Sequence, residues 1–253
     1  MRVTYIIGMN RTDTAIKYTA SGHIFITPAD DCREVVDAML ETDYSEEFCL
    51  AAAFEPGFIA KLMEAGFLVM SANLSEEEPF YILLPKLHYT RSVLFYENLH
   101  IKRSARRFLN RYELKADADF DRIIDRCVGK HGPDWLTPPL VECIKIIRRN
   151  AAADRSIPEN LTPVPYAYPA SFALYRDGKL AAGEFGVVCG KVYTSYSGFY
   201  EETSAGTVQL IKTTRYLQEN GFSFFDMGMP LDYKTALGAT DIGQGEFVRL
   251  FRG

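Results

Sequence analysis

Residues 166–200, YAYPASFALYRDGKLAAGEFGVVCGKVYTSYSGFY, contain three runs of β-branched, aromatic and small residues separated by two turn signals. The turn signals are Asp177-Gly178 and Gly190-Lys191. Asp-Gly favours a tight hairpin because both turn residues need a positive φ. This stretch therefore predicts three antiparallel strands joined as a meander.

The residues that follow the meander continue a recognisable order of elements. Ser204 is placed to cap a helix, because its side-chain oxygen can accept from open backbone N–H groups. The next segments predict a helix, a buried strand, a short helix and a last strand: TVQLIKTTRYLQEN, FSFFD, YKTALG and EFVRLF. This is the element order of GNAT-type acyltransferases. We therefore expect an α+β chain with a GNAT-like domain, whose mixed, mainly antiparallel sheet is flanked by helices.

The N-terminal part of the chain predicts a smaller α/β domain. Asp30 or Asp31 can cap a first helix, and Pro56 and Gly66 mark the start and stop of a second one. Strands are expected in MRVTYIIGM, HIFITP, FLVMS, FYILLP and HYTRSVLFY. We place the N-terminal domain at residues 1–95 and the GNAT-like domain at residues 96–253.

Three further helices are expected between these parts. The first helix is predicted in SARRFLNRY, and the second in a segment that stops at Gly129. The third helix is predicted in LVECIKIIRRN, and Thr137 can cap it. The first of these contains a basic cluster in a chain whose net charge is −5. A continuous helix would bring Arg103, Arg107 and Arg111 onto one face.

Composition narrows the class of protein. Hydrophobic residues make up 47% of the 253 residues and charged residues 24%, which favours a packed core over disorder. No apolar run approaches the ~20 residues that a bilayer crossing needs, so we expect a cytoplasmic protein without membrane contact. The 5 Cys and 4 His are scattered, which favours neither a disulfide framework nor a metal site.

The acyl donor is constrained by the loop before the helix that Ser204 caps. Coenzyme A pyrophosphate requires bare backbone N–H groups on a glycine-rich loop. The corresponding stretch here, YEETSAGTVQ, contains one Gly and two acids, and acids repel pyrophosphate. A coenzyme A donor is therefore disfavoured, and no cofactor is predicted.

From about Phe54 to Phe251 the chain resembles the leucyl/phenylalanyl-tRNA–protein transferases. The resemblance is carried by a series of short matches in the family's order: EPGFIAKLMEAGF, Leu99-His100-Ile101, Arg103-Ser104, Arg107-Phe108, Trp135, KLAAGEFGV, Ser197-Gly198-Phe199, Ser204-Ala205, FFDMG and LGATDIGQGEF. The resemblance implies a GNAT-like C-terminal domain that moves Leu, Phe or Met from aminoacyl-tRNA to proteins with an N-terminal Arg or Lys, which marks them for degradation.

The chain departs from the family pattern at four places. PKLHYTR stands where the family has Trp-Trp-Ser-Pro-Asp-Pro-Arg, so that Arg91 alone is retained. Tyr196 replaces a Glu, Gly228 replaces a catalytic-site Gln, and Glu184 replaces an apolar residue of the aminoacyl pocket. A buried carboxylate needs a partner, so Glu184 implies a polar or cationic aminoacyl group, with Tyr193 or Tyr196 paired across strands. An exposed Glu on a solvent face is the alternative.

The resemblance also implies a set of site residues. Asp226 is the expected catalytic residue, which holds the acceptor's ammonium group near the ester; the alternative is a turn cap. Trp135 is expected against the terminal adenosine or the pocket wall rather than in the core. The expected substrate-binding residues are Trp135, Glu184, Tyr196, Ser197, Phe199 and Gly228. The expected tRNA-binding residues are Arg91, Lys102, Arg103, Arg106, Arg107 and Arg111, with a solvated charged face as the alternative.

Three functions follow from these observations. The first is an aminoacyl-tRNA–protein transferase with either the family's specificity or an altered one. Its partners are aminoacyl-tRNA and the N-terminus of an acceptor protein. The second is a catalytically silent relative that binds tRNA or N-degrons, since two catalytic-site residues are replaced. The third is a GNAT-type N-acyltransferase with an unusual donor site. We expect a monomer.

Overall fold

The computed structural model describes residues 6–8, 16–42, 44–154 and 160–253. The strands are β1 (Ile6–Gly8), β2 (Ile16–Tyr18), β3 (Leu68–Asn73), β4 (Tyr81–Lys86), β5 (Thr90–Leu94), β6 (Glu113–Ala116), β7 (Val164–Arg176), β8 (Lys179–Gly190), β9 (Val192–Tyr200), β10 (Phe224–Asp226) and β11 (Thr240–Gly243). The α-helices are α1 (Cys32–Glu41), α2 (Pro56–Glu64), α3 (Arg103–Arg106), α4 (Phe120–His131), α5 (Pro138–Asp154), α6 (Ala205–Glu219), α7 (Asp232–Leu237) and α8 (Gln244–Arg252). The fold is therefore α+β.

A seven-stranded mixed sheet forms the centre of the molecule, in the order β11-β5-β10-β9-β8-β7-β6. Strands β7, β8 and β9 pair antiparallel, which confirms the predicted meander. Asp177 and Gly178 adopt positive φ values of 50° and 73° in the first hairpin turn, as the Asp-Gly signal predicts. β10 then pairs parallel with β9, so that Asp226 lies beside Thr194.

Strand β5 joins this sheet from the N-terminal side of the predicted boundary at residue 95. It pairs antiparallel with both β10 and β11. Strands β3 and β4 form a separate antiparallel pair, as do β1 and β2. The division into domains 1–95 and 96–253 stays a prediction.

The prediction of a last strand in EFVRLF is wrong, because these residues lie in helix α8. Phe247 and Val248 are buried, and the ring of Phe247 packs at 5.5 Å from that of Phe251 one turn later. Apolar residues at i, i+1 and i+4 form one helical face, and this spacing is incompatible with the two-residue period of a half-buried strand. The strand at this end is β11, which precedes the helix.

Two helix predictions need a correction at their ends. SARRFLNRY is not one helix, because α3 ends after one turn and a 3-10 turn follows at Leu109–Arg111. α4 passes through Gly129 and ends before Gly132, whose φ of 81° is the conformation that stops a helix. The predicted stop at Gly129 is therefore wrong. Of the first strand predicted, residues 6–8 are described, and the other residues of MRVTYIIGM lie outside the described ranges.

Other local predictions are confirmed. Asp31 caps α1, accepting from the backbone N–H groups of Arg33 and Glu34. Pro56 begins α2, and Gly66 follows its end with a φ of 101°. The predicted helix in TVQLIKTTRYLQEN is α6, and the short helix in YKTALG is α7.

Apolar side chains fill both faces of the central sheet. One cluster includes Phe185 with α2, α4 and α5, and the other includes Phe172 and Tyr193 with α6. Burial of these clusters supplies the main stabilising term, since each large side chain removed from water contributes about 1.5–3 kcal/mol. Among the described residues, no helix combines the length and the apolar character that crossing a membrane requires.

Candidate functional site

A cleft of about 380 Å³ opens where the C-terminal end of β10 meets β9. One wall comes from β3 and the residues around β4, and a second from the segment before α5. The remaining walls come from residues 195–198 of β9, from α6, from the loop after Asp226 and from α7. The cleft thus lies at a strand end in the middle of the sheet, where side chains from distant parts of the chain converge.

Asp226 is fully buried and does not itself line this cleft, whereas Met227 and Gly228, which follow it in the chain, do. Its Oδ2 accepts from the Thr194 hydroxyl at 2.9 Å, and its Oδ1 accepts from the Gly228 N–H at 2.9 Å. Arg91 completes the environment, with its Nε 3.4 Å from Oδ1. The carboxylate is therefore held in one orientation, and the turn-cap contact with Gly228 is present together with the ion pair.

Arg91 lies inside the protein, with an exposed fraction of 1%. Its Nη2 donates to the Gly66 carbonyl at 3.1 Å, and its guanidinium lies 4.2 Å from the centre of the Phe247 ring. The structure thus separates Arg91 from the exposed basic residues with which it was grouped. Its partner is the Asp226 carboxylate.

The loop after Asp226 is fixed by backbone contacts. The Gly228 carbonyl accepts from the Ser92 N–H at 2.7 Å, and the Met227 N–H donates to the Ser92 carbonyl at 2.9 Å. Gly228 has a φ of 75°, a conformation that glycine adopts without steric cost. Both Met227 and Gly228 line the cleft, so the loop presents backbone to it.

Lys234 is a cleft residue that the sequence did not single out. Its side chain is buried, and its Nζ donates to the Met227 carbonyl and, at 2.7 Å, to the Met229 carbonyl. Burial lowers the pKa of Lys234 to about 8. A single lysine in a short helix has no sequence signal that separates it from a surface lysine, so periodicity alone does not find it.

The predicted residues of β9 divide between the cleft and the core. Tyr196, Ser197 and Gly198 line the cleft. The Tyr196 hydroxyl accepts from the Val69 N–H at 3.2 Å, and burial raises the pKa of Tyr196. Phe199 is buried in the apolar cluster that contains Phe185. Tyr196 therefore ties β9 to β3 at the cleft edge.

Glu184 is buried, with an exposed fraction of 3%, so the alternative of a solvent-exposed Glu is wrong. Its Oε2 accepts from the Ser195 hydroxyl at 3.1 Å, so the partner across the strands is Ser195 and not Tyr193 or Tyr196. Among the described residues, Oε1 has no hydrogen-bond partner. Burial raises the pKa of Glu184 to about 7, and the nearby polar side chains of Thr213, Ser195 and Gln209 oppose this rise.

Glu184 sits immediately behind the cleft wall. Gly198, which lines the cleft, has so little room that an added Cβ would come 3.2 Å from the Cβ of Glu184. Phe185 packs edge-on against Phe120 of α4, while Glu184 faces the α6 side chains. Phe185 and Glu184 thus point to opposite faces of the sheet.

Trp135 lines the cleft together with residues of β9 and β3. Its carbonyl accepts from the Ser71 N–H at 2.9 Å, and the Ser71 hydroxyl lies 2.7 Å from the Thr137 hydroxyl. These contacts attach the segment before α5 to β3. The indole is half-buried, so part of it is available to a ligand.

The basic cluster forms an exposed surface, and its members do not line the cleft. Its exposed members are Lys102, Arg103, Arg106, Arg107 and Arg111. The guanidinium groups of Arg107 and Arg111 lie 4.8 Å and 5.1 Å from the centre of the Phe108 ring. The His100 N–H donates to the Leu237 carbonyl at 2.8 Å, which connects this segment to α7 and so to the cleft.

Comparisons with known proteins agree with the resemblance in the sequence. The family model described as leucyl/phenylalanyl-tRNA protein transferase matches residues 93–252. A leucyl/phenylalanyl-tRNA–protein transferase of Pseudomonas putida (strain W619) is 28% identical over 162 residues, which cover 62% of this chain and 65% of that protein. The protein of the same name from Nitrosomonas eutropha is 26% identical over 165 residues, covering 63% of this chain and 64% of that one.

The matched region thus spans less than two thirds of the length of these curated relatives. Among solved structures, a GCN5-related N-acetyltransferase from Kribbella flavida is similar at 13% identity and a TM-score of 0.35, covering 90% of this chain and 80% of that one.

Proposed function

Because the chain belongs to the leucyl/phenylalanyl-tRNA protein transferase family, we propose that it moves an aminoacyl group from aminoacyl-tRNA to the N-terminal amine of a protein that begins with Arg or Lys. The product would be a substrate for N-degron-type degradation in the cytoplasm. The observation that carries this proposal is the cleft at the end of β10, bounded by the family's β9 and Asp226 segments. Aminoacyl-tRNA and an acceptor polypeptide are the proposed partners.

The chemistry fits a site built from side chains and backbone alone. An aminoacyl ester is already activated, and a neutral amine attacks it readily. Holding the two reactants in a productive orientation can contribute about 7–11 kcal/mol of barrier reduction. The walls of the cleft come from several regular elements, including β9, β3 and α7, which suits this positioning role.

We assign Asp226 the role of organising the acceptor end of the cleft. Its carboxylate is covered by Met227 and Gly228, and it fixes the loop that they form. Gly228 stands where the family has a Gln. No side-chain amide at this position therefore assists the loss of the proton from the attacking amine. We assign the domain to the GNAT-like class because a three-stranded meander is followed by a helix and by a strand parallel to β9.

The aminoacyl side chain is proposed to lie against Gly198, with Glu184 behind it. The absence of a side chain at Gly198 leaves a thin wall between the cleft and a carboxylate whose Oε1 is unpartnered among the described residues. A buried carboxylate oxygen that lacks a hydrogen-bond donor favours a ligand group that can donate a hydrogen bond to it. Aminoacyl groups with polar or cationic side chains are therefore proposed alongside the family's Leu, Phe and Met.

The exposed basic cluster is proposed to contact the tRNA backbone. Five cationic side chains within ten residues concentrate positive charge on a chain whose net charge is −5. Neutralised phosphates release counterions, so such contacts make binding dependent on salt. Trp135 is proposed to stack on the terminal adenosine, since an aromatic face accepts any base.

A single-turnover transfer assay tests the proposed function. Aminoacyl-tRNAs that each carry one labelled amino acid would be incubated with the protein and a peptide that begins with Arg or Lys. A peptide of the same sequence with an acetylated N-terminus is the matched control, because it lacks the nucleophile. Label in the free peptide, and none in the acetylated one, supports the proposal; label in neither at any charged tRNA rejects it.

The same experiment identifies the second candidate, a silent relative that binds charged tRNA or N-degrons. This candidate is favoured by Tyr196, whose hydroxyl is engaged with the Val69 N–H, and by the glycine at position 228. Saturable binding of aminoacyl-tRNA without transfer to the free peptide would support it. Acetyl transfer from acetyl-coenzyme A to the free peptide would instead support the N-acyltransferase alternative.

A further inference from the structure

Lys234 is the cationic side chain that the loop after Asp226 holds at the cleft. It lies on α7, lines the cleft and has an exposed fraction of 6%. The Lys86 ammonium, also at the cleft, lies 3.1 Å from a Glu47 carboxylate oxygen. The partners of Lys234 are instead two neutral backbone carbonyls, so its positive charge is not cancelled by a direct ion pair within the described residues.

Those two carbonyls orient the ammonium group. A lysine ammonium has three N–H donors. Two of them are taken by the Met227 and Met229 carbonyls, which flank Gly228 on the loop. Within the described residues no third hydrogen-bond acceptor for Nζ is found, and the residue borders open cleft volume. The third donor is therefore free for a bound molecule, and its direction is fixed by the other two.

From this geometry we propose that Lys234 donates a hydrogen bond to the carbonyl oxygen of the aminoacyl ester and stabilises the negative charge that develops on it. This inference rests on the proposed transfer reaction and assigns it a further catalytic residue. A donor that is oriented before the reaction and partly withdrawn from water is the arrangement that stabilises an oxyanion. The carbonyls of Met227 and Met229 would act as positioning groups for it.

The reaction step balances without a further reagent. The lone pair of the acceptor amine forms the new N–C bond, and the carbonyl π electrons move to the oxygen that Lys234 contacts. Collapse of this intermediate restores the C=O bond and breaks the ester C–O bond. The departing ribose oxygen gains the proton that the amine loses, so the products are an amide and a tRNA with a free terminal hydroxyl.

Charges from four strands surround Lys234. Asp226 on β10, Asp241 on β11 and Glu184 on β8 raise its pKa, and Arg91 on β5 lowers it. Burial is the largest cause and brings the pKa to about 8, while the Nζ also lies 5.7 Å from the centre of the Tyr233 ring. Below that pH the group is an ammonium with three donors, and above it the side chain progressively loses its charge.

The test compares wild type with Lys234→Met, Lys234→Arg and Lys191→Met in single-turnover transfer at saturating aminoacyl-tRNA and peptide. Lys191 is an exposed lysine in the turn between β8 and β9, and its variant should match wild type. Removal of one oxyanion donor costs about 100- to 1,000-fold in the rate of the chemical step. We expect a loss of that size in Lys234→Met, with the Kd for aminoacyl-tRNA changed less than about threefold because this donor acts mainly in the transition state.

The pH dependence separates a hydrogen-bond donor from a base. The rate ratio of wild type to Lys234→Met should be largest below about pH 8 and should fall above it, as Lys234 loses its proton. A ratio that instead increases with pH would make the neutral amine a base and overturn the proposal. A ratio within threefold of 1 at every pH would also overturn it.

The Arg variant keeps the test decisive if Lys234→Met does not fold, which thermal melting would reveal. Guanidinium does not lose its proton in this range, so the Lys234→Arg rate relative to wild type should rise above about pH 8. A ratio of the Lys234→Arg rate to the wild-type rate that does not change with pH contradicts the role of Lys234 as a donor. If wild type itself transfers nothing, the proposed function fails; if wild type transfers and these ratios are flat, the role of Lys234 alone fails.

Discussion

Arg91 Nε lies 3.4 Å from Asp226 Oδ1, and both side chains are buried. The two residues are 135 positions apart and come from adjacent antiparallel strands, β5 and β10. A charge pair withdrawn from water costs desolvation energy, which its Coulomb attraction and its hydrogen bonds must offset. Its contact with Gly228, which lines the cleft, couples the stability of the sheet to the shape of the cleft.

Asp226→Asn should destabilise the protein strongly. The variant leaves the Arg91 guanidinium buried without its counter-charge, which typically costs about 3–5 kcal/mol. Urea unfolding at pH 7 measures the free energy of unfolding, and Glu219→Gln, at an exposed carboxylate, is the control. The double variant Arg91→Met/Asp226→Asn should recover part of the loss; a purely additive result would contradict the pairing.

Glu184→Gln should stabilise the protein at alkaline pH relative to wild type and leave it unchanged at acidic pH. The pKa of Glu184 is raised from 4.5 to about 7, so between these values the folded state binds more protons than the unfolded state. Wild type therefore loses stability as the pH rises through this window. Gln does not titrate, and its advantage should grow from pH 4.5 to about 7 and then level off at about 1–3 kcal/mol.

Urea unfolding of wild type and Glu184→Gln at pH 5 and pH 8 checks this sign. Glu201→Gln, at an exposed carboxylate, should show no comparable change between the two pH values. An advantage for Glu184→Gln that is equal at both pH values would show that burial does not raise the pKa of Glu184.

Trp135 should report ligand binding directly, because it is the one Trp of the chain and it lines the cleft. A non-hydrolysable aminoacyl-adenosine analogue is expected to change its fluorescence in a saturable way. Trp135→Phe should bind the analogue without the signal, and Trp135→Ala should weaken binding by about 1–3 kcal/mol through lost stacking. Equal affinity of Trp135→Ala and wild type in calorimetry would remove Trp135 from the ligand site.

Neutralising the exposed basic cluster should weaken tRNA binding and flatten its salt dependence. Replacing Arg107 and Arg111 by Gln removes two cations, and each phosphate contact that is lost reduces the slope of log K against log salt by about 0.7–0.9. Binding titrations from low to physiological salt measure that slope. The variant Arg249→Gln, at an exposed cation on α8, is the control, and an unchanged slope in Arg107→Gln/Arg111→Gln would rule out this surface.

Several structural predictions that depend on interactions between residues close in the chain are confirmed. The meander, the Asp177-Gly178 turn, the Asp31 cap and the Pro56 start are decided by backbone preferences and side-chain oxygens within a few residues. The prediction of a strand in EFVRLF is wrong because a short apolar run is compatible with a strand and with a helix. The packing of Phe247 against Phe251 favours the helix.

The residue pattern by itself determined the order of strands and helices from Val164 to Leu237, the placement of Asp226 at a strand end, and a family likeness that the match over residues 93–252 confirms. Only the tertiary structure decided that Arg91 is buried against Asp226, that Glu184 is enclosed behind Gly198, and that Lys234 is held by two carbonyls at the cleft. Local preferences act within a turn or a hairpin, whereas burial and charge pairing depend on residues that meet only after the chain has closed its sheet. The pKa of Glu184 and that of Lys234 are consequences of that closure.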